Sequence, residues 1–326
     1  MALTRSEKKK EKRRKSGTYK FLKTTGLILV TLMVLIGGAF GYFVMKAADV
    51  TTSAQTSLER GDRSEKRLVP VNPSKDNISV LFLGLDDRDG GLKGRTDALL
   101  LATFNKKENS VKMVSVPRDA RVELIGRDRM DKINHAHAFG GVDMTIATVE
   151  NLLDLPVDYF VKLNFDAFME IIDALGGIEV EVPFAFTEMD SNDVQGAISI
   201  KEGLQLLDGE EALAYSRMRK KDPRGDIGRG ERQQQVLEGI IKKGSSLSSI
   251  NKFDDVMKSI ENNLATNLSF GNILSLHSYS SGLRNIERLT IEGKNASIKG
   301  IYYYELIPES VKEISTTLRE HLEVTN

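Results

Sequence analysis

The chain has no cysteine, no tryptophan and only four histidines in 326 residues. Without cysteine there is no disulfide scaffold, no Cys-ligated zinc site and no thiol nucleophile. Four histidines leave little room for a His-built metal centre. Familiar catalytic signatures are also missing: there is no G-x-x-x-x-G-K-[ST] loop, no kinase signature set, no G-x-S-x-G and no H-E-x-x-H. What is present is balanced, with 46 Lys+Arg, 46 Asp+Glu and 40% hydrophobic residues. That composition excludes a wholly disordered or collagen-like chain, and the length suits one large domain or two small ones.

The zero net charge hides an asymmetry. Residues 1–23 carry ten basic and two acidic residues, for +8; the rest carry 36 basic and 44 acidic, for −8. No charge occurs between Lys23 and Lys46, and the 22 residues from Thr24 to Met45 are mostly apolar. A helix of that length spans a hydrocarbon core of ~30 Å. The basic cluster in front of it keeps residues 1–23 in the cytoplasm and sends the rest outside. The expectation is an uncleaved, single-pass signal-anchor in the cell membrane, since the apolar run is long for a signal peptide and no A-x-A site follows. A basic arm for nucleic acid is the weaker reading, because Lys/Arg runs beside an apolar segment serve topology and anionic lipid. The expected organisation is therefore a cytoplasmic tail (1–23), a transmembrane helix (24–45), an extracytoplasmic linker (46–76) closed by Pro70 and Pro73, and a catalytic domain (77–326).

The periodicity of that domain alternates. Strands are expected at Ile78–Leu85, Ala98–Phe104 and Val111–Val116, the last two joined by a hairpin turn at Asn105–Ser110. Tyr159–Leu163 and Ile178–Val182 are further strands, with short ones at Ile286–Ile291 and Ile301–Leu306. Helices are expected at Thr145–Leu153, from an Asp166 cap to Leu175, at Leu204–Tyr215, at Gly230–Lys243, and at 253–263, 270–282 and 309–322. The mixture implies an α/β domain, a mixed central sheet covered by helices on both faces.

Charge gathers where such a fold has no need of it. Asp86-Asp87-Arg88-Asp89 follows the first buried strand, Arg95-Thr96-Asp97 precedes the second, and Pro117-Arg118-Asp119 follows the third. Ligands of α/β sheets collect beyond the carboxyl ends of strands. Arg217-Met218-Arg219 sets two guanidiniums on one side of an extended segment, and arginine forks grip phosphate oxygens. Asp226, Arg229, Arg232 and Gln233 open a helix, and helix spacing puts Arg229, Arg232 and Gln233 on one face. Arg224-Gly225-Asp226 is read as a turn. His135 and His137 are read as structural residues bonded to backbone. Carboxylates with an arginine clamp suit Mg²⁺-assisted phosphoryl transfer, in which the metal takes one or two carboxylates and phosphate oxygens fill its shell.

The ordered blocks GLDDRDGG, GRTDALLLATFN, VSVPRDA, DKINHAHAFGG, ALAYSRMR and DIGRGERQQQ run from Gly84 to Gln235. This set resembles the LytR–CpsA–Psr family of bacterial cell-envelope proteins. The resemblance implies a Mg²⁺-dependent phosphotransferase that moves a glycopolymer from an undecaprenyl-pyrophosphate carrier to the muramic acid 6-hydroxyl of peptidoglycan. Wall teichoic acid and capsular polysaccharide are the usual cargo. It implies Asp86 and Asp97 at the metal, and Arg95, Arg118, Arg217, Arg219, Arg229 and Gln233 at the pyrophosphate. Arg118, Arg219 and Asp226 are the expected catalytic residues, Asp226 as a guessed base. The family also uses a long apolar pocket, whose lining the sequence does not separate from core. Where the family has R-S-D-T and P-R-D-T, this chain has Arg95-Thr96-Asp97-Ala98 and Pro117-Arg118-Asp119-Ala120, which implies altered tuning. The rival readings are a lipid-pyrophosphate hydrolase and a non-catalytic envelope-binding or regulatory protein. A cytoplasmic regulator fits poorly with a tail of 23 residues.

Overall fold

A computed structural model describes residues 55–86, 91–244, 263–276, 279 and 285–324. The expected membrane helix at 24–45 and almost all of the expected helix at 253–263 lie outside these residues. Among the described residues, no helix is long and apolar enough to cross a membrane. The chain divides between Asp49 and Val50, and every described residue falls in the second unit.

The order begins with β1 (Ile78–Leu85), β2 (Thr96–Asn105), β3 (Ser110–Ser115), β4 (Arg121–Leu124) and β5 (Arg129–Lys132). Helix α1 (His135–Leu153), β6 (Tyr159–Asn164), α2 (Phe165–Ala174), β7 (Ile178–Val182), β8 (Phe186–Glu188), β9 (Ile198–Ile200) and β10 (Gly203–Leu207) follow. Then come α3 (Gly209–Arg217), α4 (Asp226–Gly244), β11 (Leu264–Thr266), α5 (Phe270–Leu276), β12 (Ile286–Thr290), β13 (Gly293–Ile298), β14 (Ile301–Leu306) and α6 (Pro308–Leu322). Six strands form the central sheet in the order β11-β6-β1-β2-β3-β12. It is mixed: β1 is parallel to β6 and antiparallel to β2, and β3 is antiparallel to β2 and parallel to β12.

The strands are buried on both faces, so they read as nearly continuous apolar runs. Along β1, Leu81 and Leu83 join a core with Val142, Ile146 and Val149 of α1 and Leu318 of α6. Ile78 and Val80, on the alternate side, pack with Leu237 of α4 and Leu268. The period of two thus sends one strand into two helix layers. A third cluster ties β7 to α2, α3 and α4 through Ile172, Val180, Tyr215 and Val236.

Three expectations are corrected. The stretch expected as a helix over Leu204–Tyr215 is split: Gly203–Leu207 pairs with β7, and α3 starts only at Gly209. Asp208 and Glu211 form a reciprocal capping box there, which stops the helix from extending backwards. The cap of α2 is Asn164, whose side chain accepts from the Ala167 amide at 3.0 Å; Asp166 lies inside the first turn. Helix α1 is broken at Gly140 and Gly141, whose backbone is not helical; a short turn from His135 precedes the break, and the part after it starts at Val142, three residues before the expected Thr145. The polar segment before β1 packs on the domain. Thr56 pairs with Thr266 at 2.8 Å, Leu58 is buried, and Arg60 and Arg67 bind Glu150 and Asp158 at 2.8 and 2.7 Å.

Candidate active site

Because β1 and β2 run antiparallel, the end of one and the start of the other meet at one edge of the sheet. Gly84 lies opposite Ala98, and the register shifts at Gly84/Leu85. This places Asp86 and Asp97 in the lining of one cavity of about 880 Å³. Arg118, three residues beyond β3, reaches the same place and binds Asp97 at 2.6 Å. The end of α3 adds Arg217 and Arg219, and the first two turns of α4 add Arg229 and Gln233. Gln233 donates to the Asp97 carbonyl at 3.5 Å.

Asp226 ties two arginines together. Its Oδ1 is 2.8 Å from Arg229 and its Oδ2 3.2 Å from Arg219. Arg217 sits 5.2 Å over the Phe165 ring and 3.2 Å from Asp193. Burial opposes the charge on Arg118, but Asp97, Asp119 and Asp226 outweigh it and raise its pKa above the ordinary value. Arg229 shows the opposite balance: burial, then the neighbouring Arg118, lowers its pKa against the pull of Asp226 and Asp97. Crowded cations of this kind are costly until an anion arrives to share them.

A long stretch of the cavity wall is apolar, with Phe82, Leu100, Leu163, Phe168, Leu237 and Ile240 along it, while Glu188, Gln195, Lys220 and Lys221 line another part. It opens between the sheet and helices α2, α3 and α4. A chain-like apolar ligand with an anionic head fits that division of surfaces. Sequence periodicity missed this lining because pocket and core residues share one apolar pattern.

Not every expected residue converges. Arg95 is exposed and lies outside the residues that line the cavity. Arg232, expected on the same face as Arg229, turns the other way. It is fully buried, binds Asp222, and donates to the Tyr215 and Met218 carbonyls. His137 is buried with Nδ1 2.8 Å from the Gly94 carbonyl, so this nitrogen carries the proton and holds the loop before Asp97. Burial lowers its pKa, opposed by that hydrogen bond. His135 lies 3.1 Å from Asp131. Both histidines stand outside the cavity lining, as structural residues would.

Two further residues support the site. Asp119 is buried between Arg118 at 3.6 Å and Lys132 at 2.8 Å. The Pro117-Arg118-Asp119 spacing carried a hint of Asp119, but Lys132 comes from β5 and only the fold brings it there.

The LytR_cpsA_psr family profile matches residues 41–320. The chain belongs to this family. A family relative from Bacillus subtilis (strain 168), the polyisoprenyl-teichoic acid–peptidoglycan teichoic acid transferase TagU, is 44% identical over 321 residues. These are 98% of this chain and 99% of that protein. The TagT transferase of the same strain is 39% identical over 325 residues, 98% and 99% of the two chains. The solved structure "TagT bound to LI-WTA" aligns at a TM-score of 0.70 with 40% identity, over 82% of this chain and 99% of that one. A family protein solved with bound octaprenyl pyrophosphate lipid, YwtF (TagT), aligns at 0.67 with 38% identity, again over 82% and 99%.

Proposed function

We propose that this chain transfers a glycopolymer from a polyprenyl pyrophosphate to peptidoglycan, as a membrane-anchored phosphotransferase with its catalytic domain outside the cell. The observation that carries this reading is one cavity in which an apolar stretch of wall ends at clustered arginines with Asp86 and Asp97 among them. The TagU and TagT names and the lipid bound in a relative support it. Wall teichoic acid is the cargo nearest to those relatives, and capsular polysaccharide is the alternative.

The prenyl chain lies along Phe82, Leu100, Phe168 and Ile240, and the pyrophosphate reaches Arg118, Arg217, Arg219, Arg229 and Gln233. Among the described residues no three His, Asp or Glu side chains group into a metal cage. Two carboxylates in one cavity suit Mg²⁺, which keeps water and takes its other ligands from substrate phosphates. Asp86 and Asp97 would hold it, and it would supply charge neutralisation on the diphosphate. Arg118 sits on Asp97 and spreads positive charge toward the transferring phosphorus. The acceptor oxygen, the 6-hydroxyl of muramic acid, forms the new P–O bond to the sugar-linked phosphorus. The bond to the bridging oxygen breaks, and polyprenyl phosphate leaves with that oxygen, which takes up the proton the hydroxyl gives up. Asp226 is ion-paired to Arg219 and Arg229 and so orders these arginines, while its Oδ1 accepts no hydrogen bond.

The test uses the full chain in detergent with a lipid-pyrophosphate disaccharide, Mg²⁺ and short peptidoglycan oligomers, read by mass spectrometry. A coupled product is expected, and Arg118→Ala should lower its rate by about 10²–10³-fold, the usual cost of removing a transition-state donor. Arg95→Ala should cost much less. Lipid phosphate released without coupling would establish a hydrolase, and tight lipid binding without turnover a binding protein. Omitting Mg²⁺ tests the metal. Protease treatment of intact cells tests topology: digestion of the C-terminal domain is expected, and protection would overturn the external placement.

A further inference from the structure

The site described above has a lipid end and a phosphate end, and nothing so far receives a sugar. A glycan on the pyrophosphate, or a glycan attacking it, has to lie on the side of the arginines away from the apolar wall. Arg118 marks that side, since it spans from Asp97 in the cavity to Asp119 behind it. From Asp119 the contacts run outward through Lys132 at 2.8 Å to the rings of Tyr302 and Tyr303, whose centroids are 5.7 and 5.8 Å from its Nζ. These tyrosines belong to the β13–β14 hairpin. The hairpin is clamped to the site by a hydrogen bond from the Tyr304 amide to the Asp119 carbonyl at 2.9 Å, and by a bridge between Ala120 and Tyr304.

Tyr303 is buried, and Arg121 covers it at 6.0 Å. Tyr302 is only partly buried. Its hydroxyl donates to Asn295 Oδ1 at 2.8 Å, and the Lys132 ammonium lies over the ring, 5.7 Å from its centroid. Burial, followed by the charges of Asp226 and Asp119, raises the pKa of this hydroxyl, which keeps it a donor. A half-exposed, immobilised ring beside an ammonium and an amide is the surface that a pyranose recognises. Its C–H face packs on the ring, and its hydroxyls bond the polar groups around it.

We propose that Tyr302, with Lys132 and Asn295, forms a pyranose-binding subsite next to the phosphate-binding arginines. The inference rests on the phosphotransfer reading above and adds to it the place of the saccharide. One chemistry, a pyranose ring adjacent to the reacting phosphate, has two sources: the sugar of the lipid-linked donor and the muramic acid of the acceptor.

The experiment separates them with the full chain in detergent. Binding of a bare polyprenyl pyrophosphate and of the same lipid carrying a disaccharide is measured by calorimetry for the parent, Tyr302→Ala, Tyr302→Phe and Asn295→Ala. If the donor sugar occupies the subsite, Tyr302→Ala weakens the sugar-bearing lipid about tenfold and leaves the bare lipid within about twofold, while Tyr302→Phe keeps most of the affinity. If the acceptor occupies it, both lipids bind as before and the KM for peptidoglycan oligomers rises about tenfold at saturating donor. An equal loss on both lipids, or no change in lipid affinity and acceptor KM, overturns the proposal. Thermal unfolding checks that each variant folds, and Asn295→Ala, which keeps the tyrosine but removes the amide of the subsite, should weaken the same ligand and carries the test if Tyr302→Ala does not fold. Should the parent bind neither lipid, the phosphotransfer reading fails. The subsite is then decided by titrating the free disaccharide against the parent and Tyr302→Ala: weaker binding in the variant supports it, equal binding overturns it.

Discussion

Arg229 and Arg232 lie three residues apart on α4, and each binds an aspartate, Asp226 and Asp222. The Asp222–Arg232 pair is sealed, with side chains 1% and 2% exposed, and Arg232 spends its remaining donors on two backbone carbonyls. Gly228 closes over it, since a Cβ there would stand 1.8 Å from Asp222 Oδ2. Of the Asp226–Arg229 pair, Arg229 lines the cavity, and Arg219 on the other side of Asp226 is 42% exposed. One pair is satisfied by the protein alone. The other has an arginine on the cavity wall. Each joins one arginine of the same helix to one aspartate, so burial and the count of satisfied donors separate a frame from a site.

The sharpest way to break this comparison is to remove one acid at a time. Asp222→Ala strands the buried Arg232 and should destabilise the domain by about 3–5 kcal/mol. Thermal unfolding of the full chain in detergent would record a large fall in Tm. Asp226→Asn should leave the Tm close to that of the parent and lower the transfer rate instead. A reversed pattern would mean that the roles are interchanged.

Acid should weaken the frame through one buried histidine. His321 is buried between Thr103 Oγ1 and Ser110 Oγ, each 2.8 Å away, and burial lowers its pKa to about 4, with Lys112 adding to the shift. The neutral ring is native, so the unfolded chain takes up a proton first. Stability should be constant above about pH 6.5 and fall as the pH drops toward 4, by on the order of 3 kcal/mol at most. Urea unfolding at pH 7 and pH 4.5 measures the difference, and His321→Gln should flatten it. The smallest effect is expected at the apolar end. Phe168→Ala should weaken a long prenyl pyrophosphate by about tenfold and a short one less, since only the long chain buries surface there. Equal losses across a chain-length series would detach Phe168 from the lipid.

How much of this was legible beforehand differs by element. The central strands were readable because both faces are buried and the runs are apolar. Asp86, Asp97, Arg118 and the α4 residues were readable because charge stood at the ends of such runs. The start of α3 was misread because Leu204 and Leu206 continue the apolar pattern although they are exposed on a two-stranded ribbon. The direction of Arg232 was misread because helix spacing gives a face only to within a turn's width. Lys132 and Tyr302 carried no local signal, being 14 and 184 residues from Arg118.

The sequence by itself determined the chemistry: the kinds of charge, their order along the chain, and the family they belong to. Local pattern suffices for this because caps, periods and strand-end charges are read within a few residues. Only the tertiary structure decided which arginine borders the cavity, which apolar residues line it, and which ring stands beside Lys132 and Asp119. Those distinctions depend on what the rest of the chain leaves unburied and unpaired, and this is fixed only when distant segments pack.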